Sequence, residues 1–144
     1  MLQWSEQFET GHSLIDTQHK MLITYINRLE GISRITNPDR QQAEFIIQLI
    51  AFMETYIDVH FQQEEACMDS YKCPVHGENK EAHREVMVFF RQFKQRFEAD
   101  GGRPQILLEL HESCSNWIRR HIMQIDVHLK PCINRTTDQK STGG

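Results

Sequence analysis

The segment Ile46–Cys67, IIQLIAFMETYIDVHFQQEEAC, decides how this chain folds. Ile46, Leu49, Met53, Tyr56, His60, Glu64 and Cys67 recur three and four apart, the spacing of one stripe along a helix that packs against other helices. Two of those seam positions carry ionisable groups. A buried carboxylate or imidazolium is costly unless something compensates it, and a metal ion compensates several such groups at once. His60 and Glu64, four apart, lie about 40° from each other around a helix and ~6 Å apart along it, so both reach the same side of a bundle.

The same periodicity continues on either side. After an N-terminal arm to about Ser13, the positions Ile15, His19, Leu22, Ile26 and Leu29 form a first seam. Asn37-Pro38 makes a good N-cap and first-turn pair for the helix that carries His60, which is expected to end before Cys73-Pro74. A third helix places Asn79, His83, Val86, Phe90, Phe93 and Phe97 on one face and stops at Asp100-Gly101-Gly102-Arg103-Pro104. A fourth aligns Leu110, Cys114, Trp117, His121 and Ile125, with Pro131 expected to end it. Short connections between helices of similar length favour antiparallel neighbours. The expected fold class is therefore all-α, an up-down-up-down antiparallel four-helix bundle with an N-terminal arm, over residues 1–133. Residues 134–144 have no large apolar side chain and are expected to form a polar tail or linker.

Composition narrows the function classes. A chain of 144 residues holds one domain with a core of its own, and a formal net charge of -4 without basic clusters argues against a nucleic-acid or membrane surface. No apolar run approaches the roughly eighteen residues of a membrane span. Cys67, Cys73, Cys114 and Cys132 contain no C-x-x-C pair, and no signal-like segment opens the chain, so the expected location is the reducing cytoplasm.

The candidate metal ligands are His19, His60, Glu64, His83, His121 and Asp126, drawn from all four helical segments. His121 and Asp126 are five apart, which leaves them about 140° from each other on an ideal helix. A widened π-type turn near Ile122–Ile125, or a helix close to its end, is expected to bring Asp126 inward. Imidazole and carboxylate donors without a thiolate suit iron or manganese better than structural zinc, and two carboxylates from different helices suggest two bridged metals. Neither a pair of helical Glu-x-x-His motifs nor a His-Glu-x-x-His motif is present to support a ferritin-like or zinc-peptidase site.

Ile15-Asp16-Thr17-Gln18-His19-Lys20, His60-Phe61-Gln62-Gln63-Glu64-Glu65, Ala82-His83-Arg84-Glu85, and Trp117-Ile118-Arg119-Arg120-His121-Ile122 with Asp126 resemble the signatures of bacterial haemerythrins, in order and over almost the whole chain. The resemblance implies a non-haem centre of two iron ions bridged by Glu64, Asp126 and a solvent-derived oxo or hydroxo group. His19 and His60 would hold one iron, His83 and His121 the other, and dioxygen would bind the two-histidine iron at an open position. One ligand departs from the pattern. Where the family places a histidine four before His83, this chain has Asn79, which leaves an open or water-filled position, weak ligation by the amide oxygen, or substitution by His76 from one turn earlier.

The remaining candidates have plainer readings. Ile23, Phe61, Ile118 and Ile122 neighbour the ligands and are candidates for an apolar gas pocket, or simple core. His12, His111 and His128 read as surface or end-of-bundle histidines, Glu65 as a solvated residue, and Cys67 and Cys114 as small buried hydrophobes. Three functions fit. The first is a domain that responds to dioxygen or redox state and controls an attached or partner signalling output; the family's fusions suggest a C-terminal diguanylate cyclase or a chemoreceptor. The second is a stand-alone oxygen carrier or store, and the third a di-iron oxidase or a peroxide or nitric oxide reductase. No general acid or base stands at a suitable spacing, so any enzymatic activity is expected to belong to an attached domain.

Overall fold

The computed structural model describes the backbone of residues 1–142 and the side chains of residues 1–135. Four long helices, α1 (Ser13–Ser33), α2 (Arg40–Ser70), α3 (His76–Ala99) and α4 (Leu107–Gln124), are followed by α5 (Leu129–Thr142). His19 near the start of α1, His60 near the end of α2, His83 near the start of α3 and His121 near the end of α4 all meet at one end of the bundle. That convergence requires successive helices to alternate direction, as the short connections suggested. The interior is a continuous apolar core that includes Leu22, Ile26, Ile50, Met53, Phe90, Phe93, Phe97 and Leu110. No helix among the described residues is long and apolar enough to cross a membrane.

The N-terminal arm is tied down. Leu2 exchanges two hydrogen bonds with the Asn27 amide on α1, its N–H donating at 3.3 Å and its carbonyl accepting at 2.7 Å. Phe8 is buried, and Thr10 donates through both its N–H and its hydroxyl to Asp16 Oδ1, each at 2.9 Å. His12, expected at the surface or the bundle end, is the N-cap of α1: its Nδ1 accepts from the Ile15 N–H at 3.4 Å. This satisfies one of the donors that a helix start leaves open.

Helix boundaries depart from expectation at two places. Asp39, not Asn37, caps α2, through a reciprocal box in which Asp39 Oδ1 accepts from Gln42 N–H at 2.8 Å and Gln42 Oε1 accepts from Asp39 N–H at 2.9 Å. Asn37 instead adopts φ 53, a left-handed conformation that asparagine tolerates better than most residues, and Pro38 leads into the cap. The second departure concerns Pro131. Helix α4 stops at Gln124, and Pro131 lies in the first turn of α5, where a missing N–H costs little.

Residues 134–142, expected to be a polar tail, continue α5. Leu129 and Cys132 are buried against Ile15, Met68 and Cys73, so the first turn of α5 is fixed by tertiary packing. A helix nucleated that way extends through residues that would not form one alone. Residues 143–144, the last of the expected tail, lie outside the described residues.

Candidate metal centre

Asp126 reaches the bundle interior because α4 breaks just before it. Ile125 takes φ -122 and ψ -59, and Asp126–His128 form a 3-10 turn between α4 and α5. Of the two expected routes, a widened π-type turn or a helix close to its end, the structure takes the second, followed by a tightened turn. The tighter turn swings Asp126 from the far face onto the side of His121, leaving its carboxyl 1% exposed.

His19, His60, Glu64, Asn79, His83, His121 and Asp126 are all at most 5% exposed. Glu64 and Asp126 each divide their two oxygens between two groups of imidazoles. Glu64 Oε2 lies 2.9 Å from His19 Nε2 and 3.3 Å from His60 Nε2, while Oε1 lies 3.2 Å from His83 Nε2. Asp126 Oδ2 lies 3.2 Å from His19 Nε2, and Oδ1 lies 3.1 Å from His121 Nε2. Each carboxylate therefore spans from the α1/α2 imidazoles to the α3/α4 imidazoles. The ligand atoms fall into two overlapping groups able to hold a cation, Glu64 with His83, His121 and Asp126, and Glu64 with His19 and His60.

Electrostatics show how strained the donor set is by itself. Burial opposes charge on His19, yet hydrogen bonds to Asp126 and Glu64 outweigh it and raise the imidazole to about 10. Burial would likewise raise the Glu64 carboxyl, but His19, His60 and His83 hold it well below the usual carboxylate range. Burial dominates at His60 and pushes it down; at His83 the burial effect is overcome by Glu64 and Glu65, and the imidazole is raised. His83 Nε2 and His121 Nε2 face each other at 3.1 Å. Asp126 Oδ1, though close to His121, makes no hydrogen bond. An orphaned carboxylate oxygen and two imidazole nitrogens aimed at each other are explained by a shared cation, so the residues fit a bound metal.

Asn79 occupies the departing position from inside the cluster. Its NH2 donates to Glu64 Oε1 at 3.0 Å and to Met68 Sδ at 3.3 Å, while Oδ1 accepts from His121 Nε2 at 2.7 Å. His76 begins α3, is half-buried and is not among the clustered ligand atoms.

Several supporting residues escaped the sequence reading. Gln18 Oε1 accepts from His60 Nδ1 at 2.7 Å, and Gln18 also hydrogen-bonds Gln63. Glu65, read as solvated, accepts from His83 Nδ1 at 3.2 Å with 20% of its side chain exposed. In both cases an oxygen acceptor holds the proton on Nδ1 and leaves the Nε2 lone pair facing the centre. Each of these residues is next in sequence to a candidate ligand, a polar side chain beside a seam position, which was the one signal available. The Phe61 ring stacks on His83 at 3.7 Å and Trp117 on His121 at 4.3 Å, fixing both imidazole planes. His111, expected at the surface or bundle end, is 8% exposed, with its Nδ1 2.8 Å from the Ile26 carbonyl.

An apolar cavity of about 30 Å³, the scale of one small molecule, adjoins the centre. His19, His60, His121 and Asp126 form its polar edge, and Phe61 and Ile118 are among the residues that line it. Ile23 and Ile122 are buried in the core but do not line it; Leu22, Ile26 and Ile57 do.

Comparisons with known proteins agree with this geometry. The chain is 28% identical over 130 residues to a bacteriohemerythrin of Ralstonia nicotianae, covering 88% of this chain and 84% of that protein. It is 25% identical over 148 residues to one of Stenotrophomonas maltophilia (100% and 92% covered) and 23% identical over 135 residues to one of Methylococcus capsulatus (93% and 98% covered). Residues 10–133 match the hemerythrin HHE cation binding domain, and the chain belongs to that family.

Proposed function

We propose that His19, His60, Glu64, His83, His121 and Asp126 hold two iron ions, with Asn79 beside the second, and that the centre binds dioxygen or responds to redox state. The observation that carries this reading is the division of both carboxylates between the two imidazole groups, which suits one ion on each side and a carboxylate bridging them. Bound iron would supply two electrons and an open position for a diatomic ligand. The protein's part is to orient the imidazole Nε2 atoms, keep water away with an apolar wall, and offer a small cavity bordered by His19, His60, His121 and Asp126.

A sensory role is supported by two features. Asn79 supplies a neutral amide where a third imidazole would complete one side, which leaves that ion more open to exogenous ligands. Helix α5 begins only three residues after Asp126, so a shift in that carboxylate is delivered directly to a helix that a signalling output, attached or separate, can read. The carrier reading has its own support in the nearly full-length match to proteins named bacteriohemerythrin.

The experiment is to load the full chain with ferrous iron, expose it to dioxygen and follow the visible spectrum. A sensor oxidises quickly and binds azide in more than one iron state; a carrier forms a long-lived oxygenated species. Asn79→His should slow oxidation and restrict azide binding. An unchanged rate and unchanged azide affinity in that variant would reject the open-site reading.

A further inference from the structure

Beside the candidate metal centre lies a second, smaller core in which Ile15, Met68, Cys73, Leu129 and Cys132 are packed together. Cys73 enters it by way of the turn that ends α2. Lys72 takes φ 51, and the Cys73 N–H reaches back to the Met68 carbonyl at 2.8 Å, the closure that normally brings those two side chains into apolar contact. Any apolar residue would serve there, and likewise at Cys132 on the inner face of α5. The two thiols, however, point at the same atom: Cys73 Sγ donates to the His128 carbonyl at 3.5 Å and Cys132 Sγ donates to it at 3.3 Å. Cys114 lies in the main core, and Cys67 only borders the small one.

We propose that Cys73 and Cys132 form a reversible dithiol–disulfide site, oxidised by a hydroperoxide, that pins the root of α5 to the α2–α3 corner. The thiolate of one cysteine attacks the peroxide, the O–O bond breaks, and an alcohol or water leaves, giving a sulfenic acid. The second thiol then attacks that sulfur, the S–S bond forms, the S–O bond breaks and water leaves. The pair gives up two electrons and two protons, which the peroxide receives. Both sulfurs already share one acceptor, at 3.5 and 3.3 Å, so forming the bond requires them to leave the His128 carbonyl and turn toward each other. Burial, reinforced by the Cys132 thiol, pushes Cys73 up to about 11, so oxidation is slow at neutral pH and accelerates as the solution becomes alkaline. The site also borders the metal cluster, because Met68, packed with Cys73, accepts a hydrogen bond from Asn79 at 3.3 Å.

The test uses the reduced, metal-free full chain treated with hydrogen peroxide, alkylated under denaturing conditions and mapped by mass spectrometry without reduction. The expected result is loss of two of the four thiols, a mass lower by two hydrogen atoms, a single Cys73–Cys132 linked peptide in monomeric protein, and reversal by dithiothreitol. The oxidised chain should melt at a higher temperature, since the cross-link restricts its unfolded state. C73S should abolish the link. Because that change sits in a turn, the double variant C67S/C114S, which retains only the proposed pair, must still form it. Pairing through Cys67, intermolecular dimers, sulfinic acid without a link, no loss of thiol, or a linked form that melts lower would each overturn the proposal.

Discussion

Replacing Glu64 by Gln in the metal-free protein isolates the electrostatics of the centre. The side chain keeps its volume, so little cavity is created, but the carboxylate that meets His19, His60, His83 and Asn79 is lost from a site with 0% exposure. His19, whose imidazole is raised to about 10 by Asp126 and Glu64 against the effect of burial, keeps only one of its two carboxylates. Removing one partner from a buried charge cluster costs about 3–5 kcal/mol. For a chain of this length that lowers the melting temperature by roughly 10 °C. Glu64→Ala should cost somewhat more, because it also leaves space. The pH dependence gives an independent check. The folded-state carboxyl lies below its ordinary value of 4.5, so its contribution is present above that value and is lost as pH falls through the folded value. His19, raised from 6.5 to about 10 partly by Glu64, contributes fully only below 6.5 and loses its share as pH rises toward 10, so the gap between wild type and Glu64→Gln should be widest between 4.5 and 6.5 and narrow in acid. Urea unfolding followed by circular dichroism across that range measures it. A neutral-pH gap below about 1 kcal/mol, or a gap independent of pH, would refute the reasoning.

Three further predictions concern the centre and its frame. Metal uptake should release protons: metal-free His19 is charged below about 10 and must give up its Nε2 proton to bind. Apparent affinity should then rise up to about tenfold per pH unit below that value, and calorimetry in buffers of different ionisation enthalpy should detect at least one proton per chain. Gln18→Ala and Glu65→Ala should each weaken metal binding by roughly 10–100-fold, because His60 and His83 lose the acceptors that orient them, while urea midpoints move little. Asp39→Ala removes the α2 cap and should destabilise the fold by about 1 kcal/mol with no change in metal affinity, measured by paired unfolding and metal titrations.

The bundle was legible because hydrophobic periodicity survives in a single sequence. The His60/Glu64 seam and the glycine stop after Asp100 appear where the spacing placed them, with Gly101 and Gly102 at φ 85 and 74. The family resemblance supplied the ligand pairing, and the structure brings those side chains into one cluster. What the letters concealed was set by three-dimensional neighbours. Asp39 in place of Asn37 as the cap is a choice between adjacent good capping residues, made by a reciprocal bond with Gln42. The length of α5 depends on Leu129 and Cys132 finding Ile15, Met68 and Cys73, contacts distant in sequence. Glu65 and Gln18 look like surface residues because their role is defined only by the imidazole beyond them. Asp126 lies in the cluster, and of the two routes the spacing left open, a widened turn or a helix close to its end, the structure takes the second. A five-residue spacing requires some departure from α geometry without specifying whether the turn widens or tightens.

Iron stoichiometry tests the central claim most directly. The metal-free chain is reconstituted anaerobically with ferrous iron, freed of excess metal, and measured for bound iron per chain together with its X-ray absorption spectrum. Two irons per chain with an iron–iron scattering shell are predicted, and Glu64→Ala should lose that shell. One iron or fewer per chain, or two irons without mutual scattering, would contradict a pair bridged by Glu64 and Asp126.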